Sequence, residues 1–111
     1  MNHDIPALCP RFEKAIELLS KRWAALIVYQ LRLGPQRFAH IEHSLPNLSS
    51  KVLSDRLKEL EQEGLIRRDV YPETPVRIEY SLTKKGQALS PLFDDIAAWA
   101  SQWVELIDAA E

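Results

Sequence analysis

Residues 38–64, FAHIEHSLPNLSSKVLSDRLKELEQEG, decide the fold. Phe38, Ile41 and Leu45 recur at helical steps and mark a short helix that ends before Pro46. Leu48-Ser49-Ser50 follows, where a serine can cap a helix by accepting from a free backbone N–H. The next helix runs to about Glu63, and Gly64 is its stop. Its core stripe is Leu53, Leu57 and Leu60. At about 100° per residue, Lys51, Ser54, Asp55 and Lys58 fall on the opposite, exposed arc.

Upstream, residues 10–21 suit a helix. Pro10 sits at an allowed first-turn position, and Phe12, Ile16 and Leu19 share one face. Residues 23–33 are apolar nearly all round, which predicts a central buried helix stopped by Gly34-Pro35. Downstream, residues 65–71 are strand-like. Val76, Ile78, Tyr80 and Leu82 alternate with Arg77, Glu79 and Ser81, a half-buried strand. Pro72-Glu73-Thr74-Pro75 makes the hairpin tip between them. Thr83 can cap one last helix from about Lys84 to Ile107. Leu89, Leu92, Phe93, Ile96, Ala100, Trp103 and Ile107 form its stripe, which Trp99 and Leu106 widen. Pro91 is expected to kink it or loosen one turn.

This order predicts a mainly α chain with a small β-hairpin (α+β). It is the layout of a winged helix-turn-helix with a long terminal dimerisation helix. One domain is expected over 8–107, with the helix-turn-helix at 38–64, the wing at 65–82 and the dimerisation helix at 84–107.

Composition agrees. The 111 residues are 46% hydrophobic and 27% charged, the balance of one globular domain. The longest apolar run, Trp23 to Tyr29, is far short of the ~18–20 residues of a membrane span. No basic segment followed by an apolar stretch opens the chain, so the expected location is the cytoplasm. The net charge of −2 argues against a nucleic-acid binder, but the charge is unevenly placed. All 14 Lys and Arg lie in residues 1–86, against 11 Asp and Glu. Residues 87–111 hold Asp94, Asp95, Glu105, Asp108 and Glu111 and no basic residue. The acidic end cannot face phosphates; the earlier part can.

In a winged helix-turn-helix the second helix enters the DNA major groove, which is about 12 Å wide and admits one helix. Ser49 and Ser50 at its start offer hydroxyls and free N–H groups to a phosphate. Lys51, Ser54 and Lys58 line the exposed arc. Arg37, entering the previous helix, is placed for a phosphate, and Arg77 near the wing tip for the minor groove. Each of these is equally readable as an ordinary solvated residue. Arg56 sits beside the core stripe and is as well placed to brace Glu59 as to touch DNA.

Cys9-Pro10, Gly34-Pro35-Gln36-Arg37-Phe38, residues 53–61 (LSDRLKELE), Gly64-Leu65-Ile66, residues 72–76 (PETPV) and residues 80–86 (YSLTKKG) together resemble the HxlR-type bacterial transcription regulators. The resemblance covers about residues 8–107. Within that family the chain is most similar to the thiol-based quinone and electrophile sensors. The resemblance implies a homodimeric winged-helix repressor that pairs its first and last helices across a two-fold axis. Amphipathicity supports the dimer independently, since Phe12, Phe93, Ile96, Trp99, Ala100, Trp103 and Ile107 outnumber the core left to cover them. A symmetric dimer reads a palindromic operator on double-stranded DNA.

Cys9 is the sole cysteine, so it forms no intrachain disulfide. At a helix start its thiolate is favoured by the free N–H groups, and Arg11 adds positive charge. Chemistry alone leaves a second reading open, a buried small hydrophobe. The resemblance places the family's redox cysteine here. Some relatives carry further cysteines near the C-terminus and this chain does not. That leaves alkylation by a quinone, a mixed disulfide, or a Cys9–Cys9 bridge between subunits.

No cofactor is expected. His40, His43 and Cys9 lack the four-ligand set of a structural zinc, so no metal is expected either. The chain holds three glycines and no nucleotide-binding fingerprint, so it is not expected to be an enzyme. The alternatives are a single-cysteine peroxidase, a winged helix that binds only protein, and a regulator that answers to another ligand without redox sensing.

Overall fold

The computed structural model describes residues 9–106. Its elements are α1 (Pro10–Leu19), α2 (Arg22–Leu31), α3 (Phe38–Ser44), α4 (Ser50–Gln62), β1 (Ile66–Tyr71), β2 (Arg77–Leu82), α5 (Lys84–Gln87) and α6 (Ser90–Trp103). Ala24, Ile27, Val28 and Leu31 of α2 are buried at the centre of the core. Ile41 of α3, the stripe Leu53, Leu57 and Leu60 of α4, and Leu65, Ile66 and Leu82 at the hairpin base close around them. The helical spacing of these leucines puts all three on one side of α4, which leaves the opposite side free.

Local chemistry sets the boundaries. Ser49 Oγ accepts from the Val52 N–H at 3.1 Å, so the expected cap of α4 forms. Gly64 ends α4 in the left-handed region, at φ +77°. Ser49→Ala is expected to cost about 1 kcal/mol, the usual loss for an N-cap serine. A urea midpoint that does not fall would contradict this.

The wing is a two-stranded antiparallel hairpin with Ile66 opposite Leu82 and Tyr71 opposite Arg77. Gln36 adds an isolated bridge to Tyr80, each backbone N–H donating to the other's carbonyl, at 2.9 and 2.8 Å. The Gln36 side chain is buried and donates to the Gln30 carbonyl at 2.9 Å. Gln30 donates to Gln36 Oε1 and to Ser44 Oγ, both at 3.1 Å, so one amide pair ties α2 to α3 and to the wing.

Three expectations are corrected. The single helix over 84–107 is two helices, α5 and α6, and α6 ends at Trp103. Pro91 has no N–H to give and its ring collides with the carbonyl four residues back, that of Gln87. The helix therefore stops at Gln87 and restarts with Pro91 in its first turn. Next, Phe93 does not belong to the outer stripe. It is buried against α2 with its ring edge-on to Tyr29, centroids 6.0 Å apart. Last, β2 does not alternate cleanly. Arg77 and Glu79 are half-buried like their neighbours because they pair with each other, while Val76 lies outside the strand and is exposed. Ile107 lies outside the described residues.

Candidate nucleic-acid interface

The free side of α4 carries Lys51, Asp55 and Lys58. Lys51 is 85% exposed, and its Nζ is 3.3 Å from the Asp55 carboxylate. An exposed pair of this kind is worth under about 1 kcal/mol, so Asp55 holds Lys51 only loosely. Lys58 is exposed and makes no ion pair among the described residues. Ser54 and Lys58 share a groove with Arg68 and Tyr80 of the hairpin. This groove joins the reading helix to the wing.

Arg68 is not among the residues the sequence singles out, because only the second strand's alternation assigns faces there. The alternation Ile66, Arg68, Val70 was the available signal, because Ile66 enters the core and Arg68 must follow it to the α4 side.

The two serines have local partners. Ser49 caps α4, and Ser50 Oγ donates to the Glu42 carboxylate of α3. The second bond braces the turn between α3 and α4. What both residues still offer a phosphate is the N-terminus of a 13-residue helix. Arg37 is exposed immediately before α3.

Arg56 and Arg77 stand apart from this cluster. Arg56 Nη1 donates to Glu59 at 2.6 Å and lies in a cleft with Leu18, Lys21 and Ala24, on the α1–α2 flank of α4. Its bracing role is realised. Arg77 donates to Glu73 at 2.9 Å and to Glu79 at 2.6 Å, and its guanidinium lies 3.9 Å over the Tyr71 ring. Its hydrogen bonds hold the Glu73 carboxyl below the usual carboxylate range. Arg77 thus clamps the wing tip, with its charge already met by two carboxylates.

The opposite end of the molecule is apolar. Phe12 and Ile16 of α1 and Ile96, Trp99 and Trp103 of α6 are all exposed, the two tryptophans by 60% and 64%. Ala100 is half-buried. An open apolar groove between Leu26, Tyr29 and Ile96 runs beside them. Exposed large apolar side chains gathered in this way mark an interaction surface. Cys9 is exposed at the N-cap of α1 and makes no side-chain capping bond. Among the described residues no cluster of three metal-ligating side chains occurs, and no helix is long and apolar enough to cross a membrane.

The arrangement matches known proteins throughout. The family model of the HxlR-like helix-turn-helix matches residues 18–108. The uncharacterized HTH-type transcriptional regulator YvaP of Bacillus subtilis (strain 168) is 65% identical over 98 residues, which cover 88% of this chain and 91% of YvaP. The reduced form of the transcriptional regulator YodB from B. subtilis superposes with a TM-score of 0.80 at 48% identity, covering 92% of this chain and all of that one. The quinone-bound form of YodB gives 0.75 at 44% identity, covering 86% and 100%. With the free face of α4, the wing beside it and these likenesses together, the chain belongs to the HxlR-like helix-turn-helix family and is a DNA-binding transcriptional regulator.

Proposed function

We propose that this chain acts in the cytoplasm as a homodimeric repressor that reads a palindromic operator and lets go when Cys9 is modified. It is a binding protein and not a catalyst. The observation that carries this is the position of Cys9. Its thiol is exposed at the head of α1, the helix that also presents Phe12 and Ile16 to the apolar end of the molecule. An adduct on Cys9 therefore bears directly on the contact between subunits. The likeness to a quinone-bound relative supports a quinone as the electrophile.

The chemistry balances without a further reactant. The Cys9 thiolate adds to a ring carbon of the quinone, a C–S bond forms, one oxygen takes a proton from water and the other takes the ring proton lost at that carbon, and the product is a thio-substituted hydroquinone. The bulky adduct displaces α1 against the partner's α6. Half-sites of a palindrome lie about 34–36 Å apart, so a shift of a few Å between two reading helices spoils their register on the duplex.

The test is a titration of the dimer onto the DNA upstream of its own gene, before and after a small quinone. The reduced dimer is expected to bind with an affinity that falls steeply with salt, as phosphate contacts require. The quinone is expected to release it. Cys9→Ser is expected to bind as tightly and to ignore the quinone. Release of Cys9→Ser by the quinone would sink the trigger while leaving the DNA reading intact.

A further inference from the structure

A polar cleft of about 420 Å³ opens behind the wing, walled by the end of α2, the base of the hairpin and the α5–α6 joint. Arg32, Arg67 and Lys84 line it, and no carboxylate does. In a chain of net charge −2, three cations around one cleft with no acid among them is a concentrated positive field. Lys84 makes no ion pair among the described residues. Arg67 is 66% exposed at its side chain, with only Asp69 for company at 3.0 Å. Arg32 is pre-positioned by its stack on Tyr29, 3.7 Å from the ring centroid, and by a 2.9 Å bond to the Tyr29 carbonyl.

A second observation is independent of charge. Ser81, also in the lining, has a buried hydroxyl that finds no hydrogen-bond partner among the described residues. Buried hydroxyls are nearly always partnered, so this orphan one, beside the cationic cleft, is left with a hydrogen bond to give. Ser90 adds another hydroxyl where α6 begins, at the positive end of a 14-residue helix.

The operator does not accept that bond. Successive residues of a strand face opposite ways. Arg68 and Tyr80 face α4 and share a groove with Ser54 and Lys58. Arg67 and Ser81, one residue along in each strand and directly paired, face the other way. DNA seated on α4 lies across the hairpin from this cleft.

We propose that the cleft binds a small phosphorylated metabolite. Two or three cations and hydroxyl donors suit a phosphate dianion. The lining holds no aromatic side chain to stack a base, which favours a small phosphorylated molecule over a nucleotide. The bound phosphate ties β1 to α5 and to the start of α6, and so connects the wing to the terminal helix.

The test follows backbone amide shifts of the intact dimer during titration with glycerol 3-phosphate, inorganic phosphate and succinate. Glycerol 3-phosphate is expected to move the amides of residues 81–90 in a saturable way and more tightly than succinate. Lys84→Gln and Arg67→Gln, each at an exposed position, are expected to weaken it by about tenfold. Lys58→Gln, on the α4 side, is expected to leave it unchanged. Binding by succinate as tight as by the phosphates would overturn the phosphate assignment. No saturable shift, or a loss shared by Lys58→Gln, would overturn the site. An operator affinity lowered by Lys84→Gln with no small anion bound would make the cleft a DNA contact, and would also overturn it. None of these outcomes depends on Cys9 or on the quinone.

Discussion

On the proposed dimer, Trp99→Glu and Trp103→Glu together are expected to yield a monomer that no longer holds its operator. Both indoles stand well clear of their own chain, on a helix whose inner contact is made by Phe93 instead. Removing them leaves the core of Ile27, Leu31, Leu53 and Leu57 intact, so the helical content of each chain is expected to persist. What is lost is the apolar face, and two carboxylates per subunit replace it. Helix α6 already carries Asp94 and Asp95 and no basic residue, so in the proposed dimer the new charges would meet like charges across the two-fold axis. The consequence for DNA exceeds the change at either tryptophan. Two linked reading heads gain about 10²–10⁴ in affinity over one. Operator binding is therefore expected to fall by on the order of a hundredfold or more. Sedimentation and an operator titration on the same sample check both halves. A variant that remains dimeric would remove α6 from the subunit contact. A monomer that binds with unchanged affinity would remove the palindrome.

Most of the scaffold that places this face was legible in the amino-acid order, and the exceptions share a cause. Leu53, Leu57 and Leu60 announce their side of α4 by spacing alone, and Ser49 and Gly64 mark its ends through local backbone chemistry. Lys51, Ser54 and Lys58 follow from that stripe by rotation about one axis. Interactions between elements carry no such period. Nothing local says that Gln36 is buried and joined to Gln30, or that Arg77 will close on Glu73 and Glu79 rather than stay free. Phe93 was indistinguishable from Trp99 by spacing; only the position of Tyr29 decides which of them turns inward. Pro91 signals a kink or a loosened turn, and in the structure the helix is interrupted outright. A proline that early in a helix can start a new one as readily as bend the old one, and Leu89 at the core fixes the first outcome here.

Gly86→Ala is expected to destabilise the fold by about 3 kcal/mol, near the upper end of ordinary overpacking. The glycine is buried in α5, and a β-carbon there would lie inside the van der Waals envelope of the Leu65 carbonyl oxygen. It would also stand 3.2 Å from the Leu65 carbonyl carbon and 3.1 Å from Leu82 Cδ2. The first obstacle is backbone, so no side-chain rotation relieves it. Either α5 or the turn at 63–65 must move. That turn is held to α5 by three other bonds. Thr83 Oγ1 donates to the Gly64 carbonyl at 2.6 Å, Lys85 Nζ to the Glu63 carbonyl at 2.5 Å, and the Thr83 N–H to the Leu65 carbonyl at 3.1 Å. Together they clamp the end of the reading helix to the segment that leads into α6. Moving either side changes the angle between α4, the proposed reading helix, and α6, the proposed subunit contact. Operator affinity is therefore expected to fall even at temperatures where the variant stays folded. Lys85→Ala, which deletes one exposed bond and introduces no clash, is expected to cost about 1 kcal/mol and to leave the helix angle alone. Thermal melts and operator titrations of the two variants separate the effects. A Gly86→Ala chain as stable as the parent would show that the Leu65 backbone yields freely, and the clamp would then not be what orients α4.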